Sequence, residues 1–112
     1  LTSSDGLLTI PETRQYKTIY QDDRGIVYLE VIEDALFLHS LLFDLKDLRQ
    51  YKAFIHLLSI ELLEKGQQFL FCFIETPVEK RFAEFFGFTE TSFKTNHNGG
   101  QTIMMKDLKQ NG

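Results

Sequence analysis

The run ALFLHSLLF, Ala35 to Phe43, restricts the folds open to this chain more than any other stretch. It is nearly all apolar, too much so for a strand with one wet face, so it reads as a strand covered on both sides. QFLFCFIE, Gln68 to Glu75, reads as a second buried strand. Between them lies an amphipathic helix. Leu48, Tyr51, Ile55, Leu58 and Leu62 recur at three- and four-residue spacing, with Arg49, Lys52, His56 and Ser59 as a polar stripe beside them. Gly66 stands where a C′ glycine would end that helix.

The flanking segments complete the pattern. Leu1 to Pro11 is a polar arm with an apolar patch, Leu7 to Ile10, expected to be loosely held or paired at a sheet edge. Tyr16 to Tyr20 alternates as a strand, Asp22-Asp23-Arg24-Gly25 is a turn, and Ile26 to Ile32 is a second strand. Glu33-Asp34 then makes a tight turn into Ala35, giving an antiparallel meander. In TPVEKRFAEFFGF, Thr76 is an N-cap, Pro77 takes the first helical position and Glu79 completes a capping box. Val78, Phe82, Phe85 and Phe86 are its expected buried face, and Gly87 ends it. Phe88 to Thr95 and Gln101 to Leu108 are strands joined around Asn98-Gly99-Gly100, a hairpin signal. The fold class is α+β, a mixed and mostly antiparallel sheet with two helices in the order βββ-α-β-α-ββ. Residues 1–15 form an N-terminal arm and 16–112 a single domain.

Composition narrows the function. At 112 residues with 43% hydrophobic content, the chain can bury roughly 65% of its unfolded surface as one domain. A net charge of −4 with no basic stripe argues against nucleic-acid or anionic-membrane partners. No apolar run approaches the roughly 20 residues that span a bilayer. The lone Cys72, between Phe71 and Phe73, reads as an inert core thiol in a reducing, cytoplasmic compartment. His39 reads as a hydrogen-bonded core residue, His56 as solvated and His97 as part of a polar hairpin tip. None has metal-like neighbours in sequence. Glu30, Glu33 and Asp34 read as an acidic turn.

The order of elements, the segment VEKRFAEFFGFTET and the last strand QTIMMKDL together resemble the GNAT superfamily of N-acetyltransferases over about Tyr16 to Leu108. The resemblance implies a site for acetyl-CoA where the fourth and fifth family strands splay apart. It also implies a diphosphate cradle of backbone N–H groups in a glycine-bearing loop at a helix start. The cradle maps onto Arg49, Gln50, Tyr51, Lys52, Ala53 and Phe54. Lys52 falls on the first glycine position and Phe54 on the second small one, where bulk should exclude phosphate from the backbone. Asp44 or Asp47 as N-cap would also repel it, whereas Lys52 with Arg49 could meet it as point charges. The position of the family's general-acid Tyr is Ala83, and the short front leaves no room for the family's first two helices, as in a truncated member.

These departures predict a degenerate, non-catalytic GNAT-like domain, a pseudoenzyme with no cofactor. It would act by binding another protein or itself, as a structural or accessory protein of viral (phage) type in a host cytoplasm. The alternative is a divergent acetyl-CoA-dependent N-acetyltransferase. No catalytic set and no metal site are assigned from the sequence.

Overall fold

The two apolar runs pair in parallel, one on either side of the helix that joins them. The computed structural model describes residues 6–23, 25–42, 48–96 and 100–109. Its strands are β1 (Leu7–Leu8), β2 (Lys17–Asp22), β3 (Gly25–Ile32), β4 (Ala35–Leu42), β5 (Phe69–Ile74), β6 (Thr89–Thr95) and β7 (Thr102–Asp107). Its helices are α1 (Leu48–Glu64) and α2 (Pro77–Phe85). The strands form one sheet in the order β1-β6-β7-β5-β4-β3-β2. From β2 to β7 the elements follow βββ-α-β-α-ββ. Antiparallel β2-β3-β4 and antiparallel β5-β7-β6 meet at the parallel β4–β5 pair. A parallel neighbour requires a crossover of a dozen or more residues, and α1 supplies it.

The β3–β4 turn sets the register of half the sheet. Glu33 and Asp34 both have positive φ, 49° and 63°, as a two-residue type I′ hairpin demands. Ile32 therefore lies opposite Ala35, Glu30 opposite Phe37 and Tyr28 opposite His39. With a side-chain period of two, Tyr28, Glu30 and Ile32 share one face with Ala35, Phe37 and His39.

Each face of the sheet carries its own core. On one, α1 and α2 cover a cluster that includes Leu38, Ile55, Leu58, Leu70, Phe86 and Met104. On the other, Leu8, Ile32, Phe37, Phe71 and Ile103 are buried, with Ile10 packed against them. The chain itself crosses this second face. β1 and β2 are opposite edges of the sheet, six strand spacings or about 29 Å apart if the sheet were flat. The stretch from Leu8 to Lys17 reaches about 30 Å when extended, long enough for residues 9–16 to form a strap between those edges. The apolar patch in the arm thus finds a sheet edge, with Leu8 buried and β1 parallel to β6.

Helix ends follow local chemistry. The Glu79 amide donates to Thr76 Oγ1 at 3.2 Å and the Thr76 amide to Glu79 Oε1 at 3.1 Å, completing the capping box. At the end of α1, the Gln67 amide donates to the Leu62 carbonyl at 2.9 Å, and Gly66 at φ +89° makes the left-handed turn. Two burial expectations need correction. Val78 and Phe85 are 63% and 51% exposed, whereas Phe86 is buried as expected and Ala83 is buried beside it. One residue is 100° of helix, which carries Phe85 away from the sheet that Phe86 faces. Ser59 leaves the polar stripe and is buried, its hydroxyl donating to the Ile55 carbonyl at 2.8 Å. The expected Asp44 or Asp47 cap, His97 and the Asn98-Gly99 tip lie outside the described residues.

Phe37 is fully buried, its ring 5.5 Å from that of Phe71 and 4.7 Å from that of Phe73. Phe37→Ala should cost about 3–5 kcal/mol. Urea unfolding would read this as a lower midpoint at unchanged slope; an unchanged midpoint would contradict the assigned core.

Candidate functional site

The β4–β5 pair is short. Only Phe37 and Phe71 are in register, and beyond them the strands part. A cavity of about 480 Å³ fills the opening. It is reached from both faces of the sheet: Ser40, Tyr51 and Ala83 line it on the helix side, and Tyr28, His39 and Phe73 on the strap side.

On the strap side the centre is a charged trio. Glu30 is not part of a solvated turn, as its neighbours Glu33 and Asp34 led us to expect, but is 2% exposed within β3. Arg14, on the strap, grips it with two bonds, Nε to Oε2 at 2.7 Å and Nη2 to Oε1 at 2.6 Å. His39 Nε2 lies 2.8 Å from Oε1. Burial pushes the Glu30 carboxyl up, but the bonds from Arg14 and His39 outweigh it and hold it below its ordinary value. A carboxylate can only accept, so His39 Nε2 donates and Nδ1 is the basic nitrogen. Burial lowers the proton affinity of His39 more than Glu30 raises it, so the neutral ring is favoured. Tyr28 stacks on that ring at 5.1 Å and Phe73 meets it edge-on at 5.4 Å. Period-two alternation and a two-residue turn place these groups together.

On the helix side the polar group is Tyr51. Its ring packs against Phe86 at 4.8 Å and Phe82 at 5.9 Å, and its hydroxyl is hydrogen-bonded to Ser40. Burial pushes its pKa up to about 12, so it stays a donor. Cys72 also borders the cavity, but burial, reinforced by Glu79, pushes its thiol up to about 12. It is a poor nucleophile, consistent with an inert thiol.

The residues mapped to a cofactor cradle, Arg49 to Phe54, all lie in α1. They fan out around the helix rather than converge. Tyr51 faces the cavity, Phe54 meets the Tyr20 ring at 5.2 Å, and Gln50 is exposed. Arg49, Lys52 and Ala53 border a second cleft of about 550 Å³ between α1, the end of α2 and the end of β7. From the fifth helical residue onward backbone N–H groups are spent inside the helix. The amides of Lys52, Ala53 and Phe54 are thus taken up within α1.

No protein-family model matches the chain, and no curated protein matches it. Among solved structures, one that it is similar to is described as "putative acetyltransferase from Agrobacterium tumefaciens". The two share 23% identity with a TM-score of 0.45, over 83% of this chain and 72% of that one. The element order and the parting of β4 from β5 agree with the GNAT-like fold that the sequence resemblance implied. Ala83 borders the cavity, and Tyr51 brings a hydroxyl to the same space from the other helix. Among the described residues no cluster of three metal-ligating side chains occurs, and no helix is long and apolar enough to cross a membrane.

The trio makes stability depend on pH in one direction. His39 has its folded pKa below the ordinary 6.5, so its contribution is complete above about pH 6.5 and is lost as pH falls through the folded value. Glu30, held below 4.5, contributes above that value and loses its share in stronger acid. The urea midpoint should therefore drop between pH 7 and pH 5, and His39→Gln should flatten that part of the profile. A wild-type midpoint that is level over this range would contradict the assignment.

Proposed function

We propose that the opening between β4 and β5 binds a thioester acyl donor of the acetyl-CoA type and that the domain passes the acyl group to an amine. One observation carries this reading. The opening joins the two faces of the sheet, with a neutral, carboxylate-oriented imidazole on one side and a buried phenol on the other. Its largely apolar walls suit the uncharged arm of such a donor. Acetyl-CoA, when bound, supplies an acyl carbon already activated by a sulfur leaving group. His39 takes a proton at Nδ1 from the attacking amine as the new C–N bond forms, and Glu30 stabilises the resulting imidazolium. Arg14 fixes Glu30 and so the ring. Tyr51 donates a hydrogen bond towards the sulfur as the C–S bond breaks, and Ser40 orients Tyr51.

A second reading keeps the domain non-catalytic, acting through another protein or another copy of itself. It is favoured by Ala83 in place of a proton donor and by Leu57 and Ile60, which α1 exposes at 65% and 40%.

Thermal melting with excess acetyl-CoA separates the readings. A ligand at about 100 times its Kd adds about 2.7 kcal/mol, a rise of several degrees for a domain this size. Under the first reading wild type shifts, His39→Ala shifts equally but loses at least about a hundredfold in acyl transfer, and Tyr51→Phe lowers turnover more than binding. A melting curve indifferent to acetyl-CoA would remove the transferase reading and leave the second.

A further inference from the structure

The outer face of α1 carries a second apolar stripe. Ile55, Leu58 and Leu62 are buried against the sheet. At about 100° per residue, Ala53, Leu57 and Ile60 stand on roughly the opposite side of the helix, and all three are exposed. Their four- and three-residue spacing continues to Glu64, which is the alternation of a seam between two helices. A helix that serves one core needs one apolar face, and α1 has two.

The charges along this face run against the dipole of their own helix. Acidic side chains stabilise a helix start and basic ones its end. α1 has no acidic residue in its first turn and no basic residue in its last. Arg49 stands at the start instead, and Glu61 and Glu64 at the end, all exposed. Lys65 Nζ lies 3.2 Å from Glu61 Oε1, but among the described residues Arg49 and Glu64 belong to no ion pair. A second α1 laid antiparallel along the stripe removes the conflict. A two-fold axis between His56 and Leu57 sets Ala53 against Ile60 of the second copy and Arg49 against Glu64 of the second copy, because the members of each pair lie equally far from that axis. Each helix end then meets a charge of the sign its dipole favours. A parallel arrangement would set arginine against arginine and glutamate against glutamate.

We infer that the outer face of α1 is a self-association surface, on which a second copy of this chain packs its own α1 antiparallel across a two-fold axis beside Leu57. The 17 residues of α1 give a contact about 26 Å long. A contact of that length and one helix wide buries less than the roughly 1,200 Å² at which standard interfaces begin, so the dimer is weak and forms with rising concentration. The stripe points away from the opening that Tyr51 lines. The dimer therefore specifies the self-contact named in the second reading above without depending on the domain being non-catalytic.

Sedimentation velocity from low micromolar to submillimolar loading tests this. Wild type should pass from monomer to dimer across that range. Leu57→Gln should weaken the dimer at least about tenfold, because the two-fold axis removes two leucines at once. Arg49→Glu and Glu64→Arg should each weaken it about tenfold through two repulsive pairs. An equimolar mixture of those two variants should dimerise as wild type does, since each chain supplies the charge that the other lacks. Both charge changes suit the dipole of α1 itself, so dilute samples of each should melt at or above wild type, which separates a lost dimer from a lost fold. A chain that stays monomeric throughout overturns the proposal, as does a dimer indifferent to Leu57→Gln. Charge variants that associate as wild type does, or a mixture that fails to reassociate, overturn it too. Melting with acetyl-CoA reads the opening and not this face, so the dimer and the thioester reading can each fail without the other.

Discussion

The parting of β4 from β5 is the constraint around which the other parts of this domain are arranged. Two antiparallel blocks meet there through a parallel pair with a single residue in register. A continued ladder would spend the backbone groups of His39, Ser40, Phe73 and Ile74 on each other. Because it stops, an opening remains in the middle of a sheet, and side chains from both faces reach it. Phe37 packs against Phe71 and Phe73 with tilted rings at the point of divergence. The α1 crossover forces the pair to be parallel, and the hairpins on either side hold each strand in its own block.

The two sides of the opening are supported by different means. On the helix side, packing of Tyr51 against Phe82 and Phe86 sets the phenol. On the other, the strap brings Arg14 across the sheet to a carboxylate that would be very costly to bury unpaired. The strap thus has a structural task and an electrostatic one. It covers apolar surface that no helix covers, and it keeps Glu30 ionised so that His39 has a fixed tautomer. The imidazole and phenol sit on opposite sides of the opening, an arrangement that suits chemistry in which a proton leaves at one side and charge develops at the other.

Much of the site was close to legible. The two-residue turn at Glu33-Asp34 fixes Tyr28 opposite His39 once its type is known, and alternation then puts Glu30 on the same face. Reading those acidic residues as one solvated cluster obscured this, because charge in a string of letters carries no face. Tyr51 was visible as part of the apolar stripe of α1, but a stripe says only that a residue is inward. It does not say that a hydroxyl will find Ser40 at the lip of an opening. Lys106 and Gly87 were invisible as a pair, since they are brought together only by β7 running back beside the end of α2.

Local rules were sufficient for the elements. The period of the apolar residues determined which segments are strand and which helix, the Thr76–Glu79 box started α2, and glycines ended both helices, because each depends on residues within a turn or two. The fate of the Arg49 to Phe54 backbone was also implied locally, by a stripe already running at Leu48. What only the tertiary structure decided was long-range: the edge that β1 joins, the arginine that reaches Glu30, and the phenol that stands beside Ala83. Those outcomes depend on which strands lie side by side and where one pairing stops, and strand order is a property of the whole sheet that no window of sequence contains.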